Sequence, residues 1–229
     1  MKIAGYIKNS LVDYPSYISC VVFFGGCNFD CWYCHNRPYI RSEGNVDSDE
    51  VLDFLKRRQG LIQGVVISGG EPTLNAELPD FMKKIKELEY PIKLDTNGSC
   101  PHILKNLITQ GLIDYIAMDY KAPLQKYKET VCVDIDIHNI KKSVDIILNS
   151  GIDYEFRTTF VPTLKEQDIV KIAKELKASK RYCLQQYRHE EQYSEILGKS
   201  VKPHSSDYIR QTADKLKEFF NGELIIRGL

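Results

Sequence analysis

The chain of 229 residues carries 31 Lys and Arg against 31 Asp and Glu, so its formal net charge is zero. Its length suits one sizeable core, and the lack of net charge does not favour binding to nucleic acid or an anionic membrane. No apolar run approaches the roughly 18 residues that span a bilayer, and the N-terminal run MKIAGYIKNS lacks a signal peptide's apolar stretch. We therefore expect a cytoplasmic protein with neither a membrane nor a nucleic-acid partner, in which seven cysteines stay reduced.

Short apolar runs alternate with amphipathic segments along the chain. The predicted strands are 17–25, 64–70, 91–98, 113–121, 153–162, 181–188 and the C-terminal run GELIIRGL. The predicted helices are 47–58, 76–88, 101–109, 137–149, 165–178 and 206–220. This alternation predicts an α/β fold of parallel strands with right-handed crossovers. Six units predict one domain over residues 1–229, a partial (β/α)6 barrel, with a doubly wound open sheet as the alternative. The polar connection 121–136 is interpreted as a loop that can move.

Three cysteines, Cys27, Cys31 and Cys34, follow the first predicted strand in the run GGCNFDCWYCHN. Three thiolates can ligate three irons of a four-iron cluster and leave the fourth iron open to a substrate. Structural zinc usually takes four ligands, often as two separated pairs. No second C-x2-C follows here, and His35 lies too close to Cys34 for easy tetrahedral closure. The spacing therefore favours an iron–sulfur cluster over zinc or plain thiols.

Polar residues also follow the other predicted strands, in the runs SGGEP, DTNG and MDYK. In parallel α/β folds these carboxyl ends gather at one mouth. Glycines there would let the backbone approach a ligand, and Glu71 could accept from an ammonium group, although SGGEP alone is better explained as a turn. Asp95 and Asp119 would suit a hard cation or only cap turns. Arg157 would hold a carboxylate in a barrel mouth, or form a surface ion pair.

Taken together, these motifs resemble the radical S-adenosylmethionine (radical SAM) superfamily. The cysteine motif, with the aromatic Tyr33 before its third cysteine, and the SGGEP run occur in that family's order. The resemblance covers about residues 17–187. More narrowly, LVDYP, DTNG and MDYK resemble the activating enzymes of glycyl radical enzymes, above all the activating protein of anaerobic ribonucleoside-triphosphate reductase.

The resemblance implies that Cys27, Cys31 and Cys34 bind a [4Fe–4S] cluster whose open iron chelates S-adenosylmethionine. Reductive cleavage would yield methionine and a 5′-deoxyadenosyl radical, which would take a hydrogen from a glycine of a partner enzyme. That partner is expected to be anaerobic ribonucleoside-triphosphate reductase. The alternatives are an activase of the pyruvate formate-lyase type, a radical enzyme acting on RNA or on a small molecule such as a deazapurine synthase, and a non-catalytic metal-binding or electron-transfer module.

The resemblance also implies individual roles, with no catalytic residue beyond the cluster and the cofactor. The expected cofactor contacts are Gly70 and Glu71 at the amino group, Arg157 at the methionyl portion or ribose, and Tyr33 beside the adenine, with Asp95 and Asp119 near the carboxylate. Asp95, Thr96 and Asp119 match the positions of a monovalent-cation site.

Three features depart from the family pattern. Ser16 follows LVDYP where glycine is usual, so that turn is expected to differ. Gln185 and Gln186 stand where pyruvate formate-lyase activating enzyme has a histidine, which weakens that alternative. The inserted eight-cysteine ferredoxin module of many activators is lacking, so an external donor such as flavodoxin or ferredoxin must supply the electron.

Overall fold

The computed structural model describes residues 1–42, 44–189 and 201–229. Ten strands and eight α-helices lie within these residues. The strands are β1 (Lys2–Ile3), β2 (Gly5–Ser10), β3 (Ser19–Phe24), β4 (Val46–Asp47), β5 (Gly64–Gly69), β6 (Ile92–Thr96), β7 (Tyr115–Asp119), β8 (Asp153–Phe160), β9 (Arg181–Gln186) and β10 (Glu223–Arg227). The helices are α1 (Arg37–Ile40), α2 (Ser48–Arg57), α3 (Leu78–Glu87), α4 (Pro101–Thr109), α5 (Tyr127–Val131), α6 (Ile137–Leu148), α7 (Glu166–Glu175) and α8 (Ser206–Leu216).

Every strand and helix predicted from the sequence is present, with boundaries shifted by a few residues at most ends. The interpretation of 121–136 as a loop is wrong, because this segment contains a 3₁₀ turn at Leu124–Lys126 and the helix α5. The sequence analysis also missed β2, which pairs antiparallel with β3. Three of the six residues of β2 are exposed and only Ser10 is buried, so the strand lacks the apolar pattern that identified the others.

The chain folds into two compact units. The first unit consists of Met1–Asn28, His35–Ala117 and His138–Asp153, and the second of Phe29–Cys34, Met118–Ile137 and Tyr154–Leu229. Strand β7 begins in the first unit and ends in the second, so Asp119 belongs to the second unit. The expectation of a single domain over residues 1–229 stays a prediction.

In the first unit the strand order is β2-β3-β5-β6. Strands β3, β5 and β6 run parallel, and Phe24 pairs with Gly69 at the carboxyl ends of β3 and β5. Every residue of β3 is buried, which explains the continuous apolar run CVVFF, since strands covered on both faces lose the alternating pattern. The cysteine loop and the SGGEP loop therefore leave neighbouring strands at the same edge.

In the second unit β8, β9 and β10 form a parallel sheet in that order. Gln185 pairs with Thr159 on one side and with Arg227 on the other. Among the described residues, β2 and β10 each have a single neighbour in their sheet, so no closed barrel forms. The architecture is α/β with mostly parallel strands, as predicted. None of the described helices is long and apolar enough to cross a membrane.

Candidate cofactor site at the strand ends

The glycines of SGGEP lie against the backbone that precedes the first cysteine of the motif. The Gly70 N–H donates to the Phe24 carbonyl at 2.9 Å, and the Glu71 N–H donates to the Gly26 carbonyl at 2.9 Å. A β-carbon on Gly70 would lie 1.7 Å from the Gly26 oxygen. Glycine is therefore needed at position 70 because the start of the cysteine loop approaches it closely. The sequence analysis expected glycine there for a different reason, the approach of a ligand.

Glu71 carries a buried carboxylate that joins two loops of the first unit. Its Oε1 accepts from the Thr96 hydroxyl at 2.8 Å and from the hydroxyl and N–H of Thr73. Its Oε2 accepts from the Asn97 N–H at 2.6 Å. Burial raises the pKa of this carboxyl, while the hydrogen bonds from Asn97, Thr73 and Thr96 act to lower it. Glu71 thus fastens the SGGEP loop to the DTNG loop, a role that the sequence did not predict.

Asn97 is a site residue that the sequence analysis missed, although it lies inside the DTNG run. Its side-chain Nδ2 lies 3.8 Å from the Sγ of Cys27 and donates to Asn28 Oδ1 at 3.0 Å. The Ser99 N–H donates to Asn97 Oδ1 at 2.9 Å and fixes the orientation of the amide. If Cys27 ligates a cluster, as the spacing predicts, an N–H directed at its sulfur is one of the means by which proteins adjust a cluster's potential.

Lys93 was also missed, and it lies two residues before Asp95 on β6. The side chain of Lys93 is only 2% exposed, and its ammonium forms an ion pair with the carboxylate of Asp95. Residues two apart on a strand share a face, so this pairing follows from the strand itself. Of the predicted cation ligands in the first unit, Asp95 holds a lysine and Thr96 donates to Glu71.

Asp119 lies between two cations in the second unit. Arg157 Nε donates to Asp119 Oδ1 at 2.8 Å, and Lys121 Nζ donates to Asp119 Oδ2 at 2.9 Å. Burial opposes ionisation of Asp119, but the charges of Arg157 and Lys121 outweigh it and lower the pKa of the carboxyl. Burial likewise acts to lower the pKa of Lys121, but Asp119, Tyr33 and Cys31 raise it well above its ordinary value. The three side chains therefore stay charged together near neutral pH.

Tyr33 is buried in the cysteine loop, within the second unit. Its ring packs edge-on against Trp32 at 5.3 Å between centroids, and its hydroxyl has no hydrogen-bond partner within the described ranges. Burial raises the pKa of this phenol well above its ordinary value, so the hydroxyl keeps its proton and can donate. A buried hydroxyl without a partner is costly, which fits a position that a bound molecule completes.

Backbone hydrogen bonds hold the cysteine loop in the second unit, one within the loop and one to the end of α5. The Cys34 N–H donates to the Cys31 carbonyl at 3.1 Å, and the Asp30 N–H donates to the Val131 carbonyl at 3.0 Å. All seven cysteines are thiols rather than disulfides. In the described part of the chain no group of three or more His, Cys, Asp and Glu side chains is placed to ligate a single metal ion, as zinc would require. The cluster ligands thus stay a prediction from the spacing.

Two known proteins are similar in sequence to this chain, one over nearly its whole length and the other over about half of it. A protein of Methanocaldococcus jannaschii, provisionally named glycyl-radical enzyme activating enzyme MJ1227, is 35% identical over 233 residues, covering 97% of this chain and 95% of the relative. A protein of Methanococcus maripaludis strain C5, provisionally named GTP 3′,8-cyclase, is 30% identical over 135 residues. That second match covers 55% of this chain and 43% of the relative.

The fold is also found among solved structures. Streptococcus suis SuiB bound to S-adenosylmethionine superimposes with a TM-score of 0.72 at 13% identity, over 89% of this chain and 48% of SuiB. The chain thus spans about half the length of SuiB, and at this identity the likeness concerns the fold alone. The Radical SAM superfamily model matches residues 21–176, which is more than half of the chain. Enzymes of this superfamily use a [4Fe–4S] cluster and S-adenosylmethionine. The chain belongs to the radical SAM superfamily of enzymes, and within it to the family of the Methanocaldococcus protein.

Proposed function

We propose that this chain is an activating enzyme that generates a radical on a backbone glycine of a partner protein. The observation that carries the proposal is the 35% identity to a provisionally named glycyl-radical enzyme activating enzyme over 97% of this chain and 95% of the relative. Because both chains are covered nearly end to end, the relationship extends beyond the segment of residues 21–176 that the superfamily shares.

In this proposal Cys27, Cys31 and Cys34 hold the [4Fe–4S] cluster. The reduced cluster, having received an electron from an external donor, would supply the one-electron cleavage of the sulfonium of S-adenosylmethionine, which yields methionine and the 5′-deoxyadenosyl radical that takes the glycine hydrogen. The amide of Asn97, 3.8 Å from the sulfur of Cys27, would favour the thiolate form that ligates iron. The chemistry belongs to the cofactors, while the protein orients them and excludes water.

The residues of the second unit would orient the cofactor. The hydroxyl of Tyr33 is buried and has no partner among the described residues, so a bound adenosyl group would satisfy it. The Nε of Arg157 donates to Asp119, and this hydrogen bond fixes the orientation of the Arg157 guanidinium. In the first unit, Gly70 and Glu71 would lie beside the methionyl amino group. Glu71 would act mainly by fixing its loop, since protein donors already contact both of its carboxylate oxygens.

The partner in this proposal is a glycyl radical enzyme, and anaerobic ribonucleoside-triphosphate reductase is the one we propose. The electron would come from an external flavodoxin or ferredoxin in the cytoplasm, because the seven cysteines support one cluster comfortably but not two. A small-molecule substrate is the competing function. The match to the GTP 3′,8-cyclase covers 55% of this chain and 43% of that relative. It therefore supports radical chemistry in both proteins, but it gives little support for GTP as the substrate of this chain.

The test begins with anaerobic reconstitution of the cluster and reduction in the presence of S-adenosylmethionine. Cys31→Ala should lose the cluster's visible absorbance and the formation of 5′-deoxyadenosine. Cys132→Ala is the matched control, because Cys132 is exposed at the end of α5, and it should keep both. If Cys31→Ala still cleaves the cofactor, the ligand assignment is wrong.

The partner is tested separately, by mixing the reduced enzyme and S-adenosylmethionine with anaerobic ribonucleoside-triphosphate reductase. We expect the electron paramagnetic resonance doublet of a glycyl radical, and its loss when the reductase's radical glycine is replaced by alanine. The same mixture is made with pyruvate formate-lyase in place of the reductase. If S-adenosylmethionine is cleaved but neither protein shows the doublet, both are excluded as partners. Turnover of GTP or a deazapurine precursor in its place would establish the small-molecule function.

A further inference from the structure

The carboxylates expected to bind a monovalent cation already hold cationic side chains of the protein. In the first unit, the ammonium of Lys93 is paired with Asp95, and only 2% of the Lys93 side chain and 16% of the Asp95 side chain are exposed. A buried ammonium is strongly destabilising unless a carboxylate neutralises it. The ammonium of Lys93 therefore neutralises the negative charge of the Asp95 carboxylate.

Thr96, the second expected ligand, is also engaged within the first unit. Its hydroxyl donates to Glu71 Oε1 at 2.8 Å and accepts from the Gly98 N–H at 3.1 Å. A metal ion would need a lone pair of this oxygen, which has two, and one of them already accepts from Gly98. The Thr96 hydroxyl thus supports the DTNG loop and keeps one lone pair, which by itself is a weak neutral ligand for a cation.

Asp119, the third expected ligand, is neutralised within the second unit. Arg157 donates to one of its carboxylate oxygens and Lys121 to the other, at 2.8 and 2.9 Å. Two positive charges already outnumber this single carboxylate. Adding a metal ion would place a third positive charge beside them, which like-charge repulsion opposes.

We propose that the ammonium of Lys93 takes the place of the monovalent cation, so that cofactor binding by this enzyme requires no added potassium or sodium. An ammonium group resembles a potassium ion in charge and approximate size. Because the ammonium of Lys93 is attached to the chain, it pairs with Asp95 without the loss of translational entropy that a free ion would incur. Lys93 is a positioning residue, which acts through Asp95. The proposal rests on the proposed function only for the location of the cofactor, since the pairing of Lys93 with Asp95 does not depend on it.

The first test measures the affinity of the reconstituted enzyme for S-adenosylmethionine by equilibrium dialysis in potassium, sodium and tetramethylammonium chloride. At equal ionic strength the affinity of the wild type should differ between salts by less than about twofold, because general screening is the same in each. Lys93→Met should bind about tenfold more weakly in the tetramethylammonium salt and recover in potassium, because Asp95 is then left without its cation. Lys84→Met is the control at an exposed lysine and should behave as the wild type.

The second test needs no cofactor cleavage. The thermal midpoint of the reconstituted protein without S-adenosylmethionine should not respond specifically to potassium in the wild type, whereas potassium should raise it in Lys93→Met. Should that variant not fold, Lys93→Met combined with Asp95→Asn removes both charges and should fold without a potassium response.

A potassium-specific gain in the wild type, in affinity or in thermal midpoint, would overturn the proposal. A Lys93→Met variant that gains nothing from potassium would also overturn it. So would a double variant whose midpoint rises in potassium. If no salt supports S-adenosylmethionine binding by the wild type, the proposed function fails, and the midpoints still decide the role of Lys93.

Discussion

The carbonyl oxygen of Gly26 lies 1.7 Å from the point that a β-carbon on Gly70 would occupy. The position of a β-carbon is set by the backbone, so rotation of a side chain cannot relieve this contact. A residue larger than glycine would have to move the end of β5 away from the end of β3. The SGGEP glycine therefore sets the spacing between the SGGEP loop and the start of the cysteine loop.

Gly70→Ala should destabilise the fold by about 3 kcal/mol, the cost of forcing an atom into packed backbone. Gly111→Ala is the control: a β-carbon there meets nothing within 4 Å, and only the positive φ of 67° opposes it. That strain costs about 1 kcal/mol. Urea denaturation of both variants measures the difference, and equal midpoints would mean that the two loops separate more easily than their packing indicates.

Glu71→Gln should lower the free energy of unfolding by about 1–3 kcal/mol, because the new amide nitrogen would face N–H or O–H donors. The affected donors are Asn97 on one oxygen and Thr73 and Thr96 on the other. Glu87→Gln, at an exposed position of α3, should change the free energy of unfolding by less than about 0.5 kcal/mol. Guanidinium denaturation separates the two. A neutral outcome at Glu71 would show that its carboxyl is already protonated in the fold.

Asp119→Asn tests the charge cluster of the second unit through its pH dependence. The pKa of Asp119 is lowered from 3.8 in the fold, so its ion pairs stabilise the protein fully above pH 3.8 and are lost as the pH falls toward the lowered pKa. The difference in unfolding free energy between wild type and variant should be about 2 kcal/mol at neutral pH. It should shrink below pH 3.8. A difference that does not change with pH would show that the charge of Asp119 contributes nothing.

Arg227→Met removes the partner of a buried carboxylate on β8. Both terminal nitrogens of Arg227 donate to Glu155 at 2.7 Å, and Glu155 is completely buried. We expect a loss of about 3–5 kcal/mol, and recovery of much of it when Glu155→Met is added. Arg181→Met, at an ion pair with the exposed Glu223 on the same sheet, should cost less than about 1 kcal/mol. Equal losses in urea denaturation would contradict this distinction.

The order of the strands and helices could be read from the sequence because burial leaves a local pattern. Helix α4 is predicted at its observed bounds, Pro101–Thr109, from the amphipathic segment between two apolar runs and the glycine beyond its end. Strand β2 was missed because only one of its residues, Ser10, is buried, so its sequence carries no such pattern. The short helix α5 was missed in a segment interpreted as a loop, because five residues are too few for a helical period to stand out.

The sequence by itself determined the three-cysteine spacing, the polar residues at the strand ends and the glycines of SGGEP, since each is a property of neighbouring residues. The pairing of Lys93 with Asp95 was also within its reach, because residues two apart on a strand share a face. Only the tertiary structure decided that Glu71 meets Asn97 and that Arg227 meets Glu155, across 26 and 72 residues of chain. Such partners are chosen by the packing of whole strands. The same packing decided that the SGGEP glycine makes room for Gly26, a contact that no local spacing contains.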